Sequence, residues 1–245
     1  MFKMDKATTD RGEQTKLAIF ESALRLFRER GFDAATMRDI AAQAGVALGA
    51  AYYYFPSKEA IVSAYYDIVQ KEHARRVAEA LASDHMDLRA RLGVAFHSKL
   101  DIVQDDRRLL GTIFRYTGEP DHPLSCLGPA TYETRRESIE LLEQAIGSES
   151  LPKDLRQLLP IALWALQMGV LVHFIYDRST HQERTRKLVN NALDLGVRLL
   201  SLAKSPLLKP VRGKLLNVLR EADLLPSNEA DSTAHAQIGA PRKAV

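Results

Sequence analysis

The sequence predicts an all-α protein, a small N-terminal helix-turn-helix unit of three helices followed by a larger C-terminal helical domain. Long segments repeat apolar residues at helical spacing, period-2 strand patterning is missing, and capping residues punctuate the helical segments. Gln14 to Arg30 forms the first helix, with Ile19, Ala23, Leu26 and Phe27 along one face and Gly31 as its C-terminal cap. Thr36, with Asp39 three residues on, starts a short helix over Met37–Gln43, and Ala44-Gly45-Val46 breaks it. A second short helix covers Leu48–Tyr54. Pro56 ends that unit, and Ser57 caps a long helix to about Ala82. Asp84–Gln104 and Asp106–Glu119 read as two further helices, and Gly118–Pro129 as a loop. Thr131–Ile146 is helical, and Pro152–Tyr176 is a long helix bent at Pro160. Thr180 with Glu183 makes a capping box for a last long helix to Ala203. Pro206 and Pro210 then interrupt the chain before a short helix from Val211 to Leu225. The corresponding divisions are a disordered arm (1–12), the three-helix unit (13–57), a helical ligand-binding and dimerisation domain (58–205), an extra segment (206–225) and a disordered tail (226–245).

Composition narrows the classes. A net charge of +3 does not by itself announce nucleic acid, so any basic surface must be local. Cys126 is alone, which removes an intrachain disulfide framework or a multi-cysteine zinc site and fits a reducing cytosol. The opening "MFKMDKATTD" lacks the apolar core of a secretory signal, so the reading is cytoplasmic. The most apolar run, Ile161–Ile175, is shorter than the roughly 20 residues of a membrane span. It also carries Gln167 and His173, so it reads as a buried helix rather than a membrane segment.

The stretch "GVALGAAYYYFPSKEA" places Tyr52, Tyr53 and Tyr54 side by side. Three neighbours on a helix point about 100° apart, so one packed face cannot absorb all three rings. Two short helices joined by a glycine turn and braced by a preceding helix make a helix-turn-helix, whose second helix enters the major groove. Tyr52 and Tyr53 then face DNA phosphate and sugar, Tyr54 packs, and Thr36 and Lys58 clamp the backbone from either side. Gly49 and Ala50 keep the reading helix slim.

The run "LFRERGFDAATMRDIAAQAGVALGAAYYYFPSKEAIV" resembles the DNA-binding signature of the TetR family of transcriptional regulators, a likeness covering about Lys16 to Val62. The resemblance implies an all-helical homodimer, with three N-terminal helices for operator DNA and a variable C-terminal domain for ligand and dimer contacts. By it Thr36, Arg38, Gly49, Tyr52, Tyr53 and Lys58 match positions that touch DNA. Where the family often has Ser-Lys-Gly-Thr, this chain has Ala47-Leu48-Gly49-Ala50, so direct base readout is thin. Thymine-methyl contacts by Ala47, Leu48 or Ala50, and DNA shape, carry more of the specificity. Arg38 is the remaining long donor, for a guanine edge or a phosphate.

Beyond the head, a dimer stripe is expected at Leu188, Ala192, Leu195, Leu199 and Leu202, with the helix around Trp164 completing a four-helix bundle by symmetry. Pocket candidates are Phe96, Phe114, Tyr116, Trp164, Met168 and Phe174, with His97, Arg115 or His173 as polar selectors; for each, a plain core, satisfied or surface role is the more ordinary alternative. Cys126 is a candidate sensor thiol or a passive one. The overall expectation is a non-enzymatic regulator, a repressor released from a palindromic operator by an unidentified small-molecule effector, without cofactor, metal or membrane. Two rival classes remain. A helical metal enzyme would use His97/Asp101 and His173/Asp177, each at i,i+4. A constitutive DNA-binding protein would have a filled core and no ligand.

Overall fold

In the computed structural model, residues 11–82, 86–119 and 121–222 are described, and among them every regular element is helical. The predicted arm falls mostly, and the predicted tail wholly, outside the described residues. Three helices build the head: α1 (Arg11–Arg30), α2 (Met37–Ala44) and α3 (Leu48–Tyr54). Ile19, Ala23, Leu26 and Phe27 line the inner face of α1, as the apolar spacing requires, and meet Ile40, Ala41, Ala51 and Phe55. Gly31 sits at φ 87°, and its amide donates to Phe27 O at 3.1 Å, closing α1 with the left-handed residue that glycine alone adopts without Cβ strain. Thr36 and Asp39 form the reciprocal capping box at the start of α2. Gly45, at φ 68°, turns the chain into α3.

From the head the chain enters α4 (Lys58–Leu81), capped by Ser57 Oγ, which accepts from the Ala60 amide at 3.2 Å. Its first turns, through Ile61 and Val62, belong to the head core; its later turns, through Tyr65, Val69, His73 and Val77, belong to the body. The body adds α5 (Leu88–Val103), α6 (Arg107–Arg115), α7 (Tyr132–Ile146), α8 (Lys153–Tyr176), α9 (Glu183–Ala203) and α10 (Lys209–Glu221). Helix α5 lies against α4, α7 and α9, while α8 packs on α6, α7 and α9.

Two local expectations are corrected. Thr180 does not cap α9. Residues 180–182 form a 3-10 turn in which His181 (φ 50°) and Gln182 (φ 53°) are left-handed. The buried Asp177 carboxylate performs the capping instead, accepting from the amides of Ser179 and Thr185, each at 2.9 Å, and from both hydroxyls. Pro210 does not interrupt the chain but lies in the first turn of α10, where the amide that proline lacks has no intrahelical partner to lose. Helix α8 is one 24-residue element that runs through Pro160, long and apolar enough to cross a membrane by length and composition alone. It is packed into the body: Leu158, Leu163, Val170 and Phe174 are buried, and Arg107 donates to the carbonyls of Phe174, Ile175 and Asp177 at its C-terminus.

Candidate nucleic-acid interface and ligand cavity

On the head, Tyr53 is 82% and Tyr52 48% exposed, whereas Tyr54 is half-buried, its ring edge-on to Tyr53 at 5.1 Å. Arg38, Ala47 and Gly49 are also exposed; Leu48 packs partly on the core. A Cβ placed on Gly49 would meet nothing within 4 Å, so the protein's own packing does not require glycine there. The outward face of α3 therefore consists of small residues ending in two rings, a shape suited to a groove.

The two expected clamps are otherwise engaged. The Thr36 hydroxyl donates to Asp39 Oδ2 at 2.6 Å and accepts the Asp39 amide at 3.1 Å, so its proton is committed to the cap. Lys58 does not project freely. Its Nζ donates to Phe32 O at 2.7 Å and lies 4.5 Å from the centroid of the Phe32 ring, pinning the turn after α1. A lysine beside a helix N-terminus reads as a phosphate ligand from sequence; here its ammonium is bound to the Phe32 carbonyl.

Head and body are joined by charged contacts, one of them through a buried carboxylate. Asp106, 1% exposed, accepts from Arg28 Nε at 2.5 Å and from Tyr65 OH at 2.9 Å. The hydrogen bond to Asp106 raises the Arg28 pKa, and burial together with that carboxylate raises that of Tyr65. Arg108 donates to Glu29 O at 2.6 Å, at the end of α1. Asp33 accepts from Tyr116 OH at 2.8 Å and from Arg115 at 2.5 Å, which together hold its carboxyl below the usual range. Through Arg28 and Arg108 these contacts tie α6 and its flank to the C-terminal end of α1, through Asp33 to the turn after it, and through Tyr65 to α4.

Behind Tyr65 lies an inner cavity of about 100 Å³, walled by Tyr65, Tyr66 and Val69 from α4, Lys99 and Val103 from α5, Leu110, Ile113 and Phe114 from α6, Arg135 and Ser138 from α7, and Trp164 and Met168 from α8. An outer cleft of about 500 Å³ shares Phe114, Thr117, Cys126, Trp164 and Met168 with it and extends along Ala165, Gly169, Val172 and Tyr176. Phe114, Trp164 and Met168 thus stand where a pocket was expected. Phe96 does not line it: it is buried in the core at 1% exposure, as is Phe174. Tyr116 turns away, bonded to Asp33 and stacked 3.9 Å from the His122 ring. His97 pairs with Asn190 Oδ1 at 2.9 Å on the surface, and His173 with Thr185 Oγ1 at 2.9 Å. Asp101 is held by Arg186 and Asp177 by its turn, so the two His/Asp pairs have separate partners and do not combine. Cys126 borders both spaces.

Sequence reasoning missed Asp106, Tyr65, Lys99 and Arg135. Lys99 carried a readable signal, since it interrupts the apolar stripe Leu88, Leu92, Phe96, Val103. Asp106 carried none, because its partners lie 41 and 78 residues away.

A three-helix head that presents a slim, ring-ended second helix, carried on a helical body with its own cavity, defines a helix-turn-helix DNA-binding protein. Residues 19–65 match the profile described as "Bacterial regulatory proteins, tetR family", and residues 91–213 match "Tetracyclin repressor-like, C-terminal domain". The chain belongs to the TetR family, whose members are transcriptional regulators and not enzymes. It is 33% identical over 84 residues to the HTH-type transcriptional regulator TtgR of Pseudomonas putida, covering 34% of this chain and 40% of that protein. It is 27% identical over 158 residues to AcrR of Shigella flexneri, covering 62% and 74%. The match to TtgR thus spans two-fifths of that relative. Among solved structures, a TetR regulator from Nitrosomonas europaea superposes with TM-score 0.60 at 19% identity, over 74% of this chain and 96% of that one. FadR from Bacillus subtilis in complex with stearoyl-CoA does so with TM-score 0.58 at 17% identity, over 72% and 96%. At these identities the structural likeness concerns the fold.

Proposed function

We propose that this regulator is a cytoplasmic repressor, a homodimer that binds a near-palindromic operator and is released by a small organic effector held in the inner cavity. The carrying observation is the continuous path from cavity wall to reading head: Tyr65 lines the cavity and bonds Asp106, which bonds Arg28 of α1. An effector that displaces Tyr65 or α6 acts on α1 through these contacts. A relative named as a transcriptional repressor, KstR2 of Rhodococcus jostii, supports the sign of regulation.

The DNA surface comprises Arg38, Ala47, Leu48, Gly49, Tyr52 and Tyr53, with Thr36 and Lys58 holding the loop that flanks it. The dimer surface combines two faces. Helix α9 turns Val189, Leu193 and Leu200 inward and leaves Leu188, Leu195, Leu199 and Leu202 exposed, with Ala192 half-buried between them. Helix α8 leaves Ala162, Ala165, Gly169, Val172 and Tyr176 exposed. Two such pairs packed about a two-fold axis bury the leucines, and the symmetry of the reading heads then demands a symmetric operator.

The test is fluorescence anisotropy on DNA from upstream of the protein's own gene, with non-specific competitor present and the salt varied. Nanomolar binding to one palindromic fragment, weakened by Tyr52→Phe, is expected. Only weak, steeply salt-dependent binding on every fragment refutes operator recognition. Equal effector affinity for free and operator-bound dimer refutes release, because coupling between two sites is reciprocal.

A further inference from the structure

Lys99 is half-buried on the inward side of α5. It follows Leu88, Leu92 and Phe96 and precedes Val103 on α5, and all four are buried. Its ammonium donates to Gln70 Oε1 at 3.2 Å, an oxygen that also accepts from Ser138 Oγ at 3.1 Å, so both neighbours in this network are neutral. Burial pushes the Lys99 pKa down to about 8, with no acid opposing it. From α4 it faces His73, whose pKa burial and the Lys99 charge lower to about 3, so it is neutral near pH 7, its Nε2 against Ala95 O at 2.7 Å. From α7 the wall adds a second cation, Arg135, part of whose guanidinium is bound to Cys126 O at 2.9 Å. Among the described residues, no Asp or Glu lines the cavity. The carboxylate behind its wall, Asp106, is already taken by Arg28 and Tyr65.

A desolvated cation without a counter-ion is costly, and a ligand bearing a negative charge removes that cost by a charge-assisted hydrogen bond. The remaining wall, Phe114, Trp164 and Met168 among it, suits an apolar body. We propose that the cavity selects an amphipathic organic anion, with its charged end on Lys99 beside Ser138 and its apolar body against Phe114, Trp164 and Met168. The assignment rests on the cavity being the effector site and adds the chemical class of the effector.

The test uses three probes of one length, octanoate, octanol and octylammonium, titrated into the full chain near pH 7. Trp164, the sole tryptophan, reports occupancy through its emission. Octanoate is expected to bind at least ten-fold tighter than octanol, with octylammonium weakest. Lys99→Met should lose at least ten-fold for octanoate while keeping octanol within about two-fold, and Lys99→Arg should keep the native order. Octanol binding as tightly as octanoate overturns the anion assignment and leaves the cavity reading standing. Octanoate binding equally to native protein and Lys99→Met overturns it in the same way. No response of Trp164 to any probe removes both the assignment and the effector site beneath it. The native ranking decides the question even if Lys99→Met does not fold.

Discussion

Tyr53 and Gly49 separate what the head needs to fold from what it needs to bind. Tyr53 has little packing to lose at 82% exposure, so Tyr53→Ala should leave the melting temperature within a degree or two while weakening operator binding about ten-fold in an anisotropy titration. Gly49→Ala fills open space on a helix, where alanine is favoured by about 0.5–1 kcal/mol, so the protein should become slightly more stable yet bind its operator less well. Lys58→Ala should act the opposite way to a phosphate contact, lowering stability by about 1–2 kcal/mol in urea melts because the Phe32 carbonyl loses its donor. His73 makes a prediction about pH. Its folded pKa, about 3, lies below the ordinary value of about 6.5, so the unfolded chain binds the extra proton first. Its contribution is therefore fully present above about pH 6.5 and is lost as pH falls toward 3, by up to about 1.4 kcal/mol per pH unit. His73→Gln, which keeps a donor for Ala95 O, should flatten the dependence of the melting temperature between pH 6.5 and 4.5; an unchanged slope would assign the titration elsewhere.

Among the elements, α9 shows how a surface can be read from a stripe. Leu195 and Leu199 are 57% and 52% exposed on the side away from Val189 and Leu193. If the proposed dimer forms through this face, a Leu195→Glu/Leu199→Glu chain should sediment as a monomer at concentrations where the native chain dimerises, because the symmetric interface would receive four carboxylates at once. The bounds of α2, α3 and α4 were legible because their signals are local: a capping box, a glycine turn, a serine cap. The start of α9 was not legible, because the capping carboxylate comes from Asp177, beyond the reach of a four-residue motif. Similarly, Phe96 and Phe114 are indistinguishable as aromatics on amphipathic segments, and only the packing of α4, α6 and α8 places one in the core and the other at the cavity. Residue type marks burial; the crossing of helices decides what is buried against what.

For the whole molecule, the proposed release mechanism makes the junction of head and body the point of control. Asp106→Asn keeps an acceptor for Tyr65 but removes the charge that holds Arg28. The expected outcome is a stability loss of about 2 kcal/mol, moderated because Arg28 is partly open to solvent, with a smaller effector-induced change in operator affinity. If the variant responds to effector as strongly as the native protein, the signal passes elsewhere. The geometry also magnifies small displacements. Helix α4 has 24 residues, so it is about 36 Å long, with Ile61 in the head and the cavity wall at Tyr65 to Val69 along its length. Used as a lever, it turns a tilt of about 5° into about 3 Å of travel from one end to the other, close to the rise of one base pair. In the proposed dimer, two heads that must land in register one helical turn apart would be put out of step by a rotation too small to unfold anything.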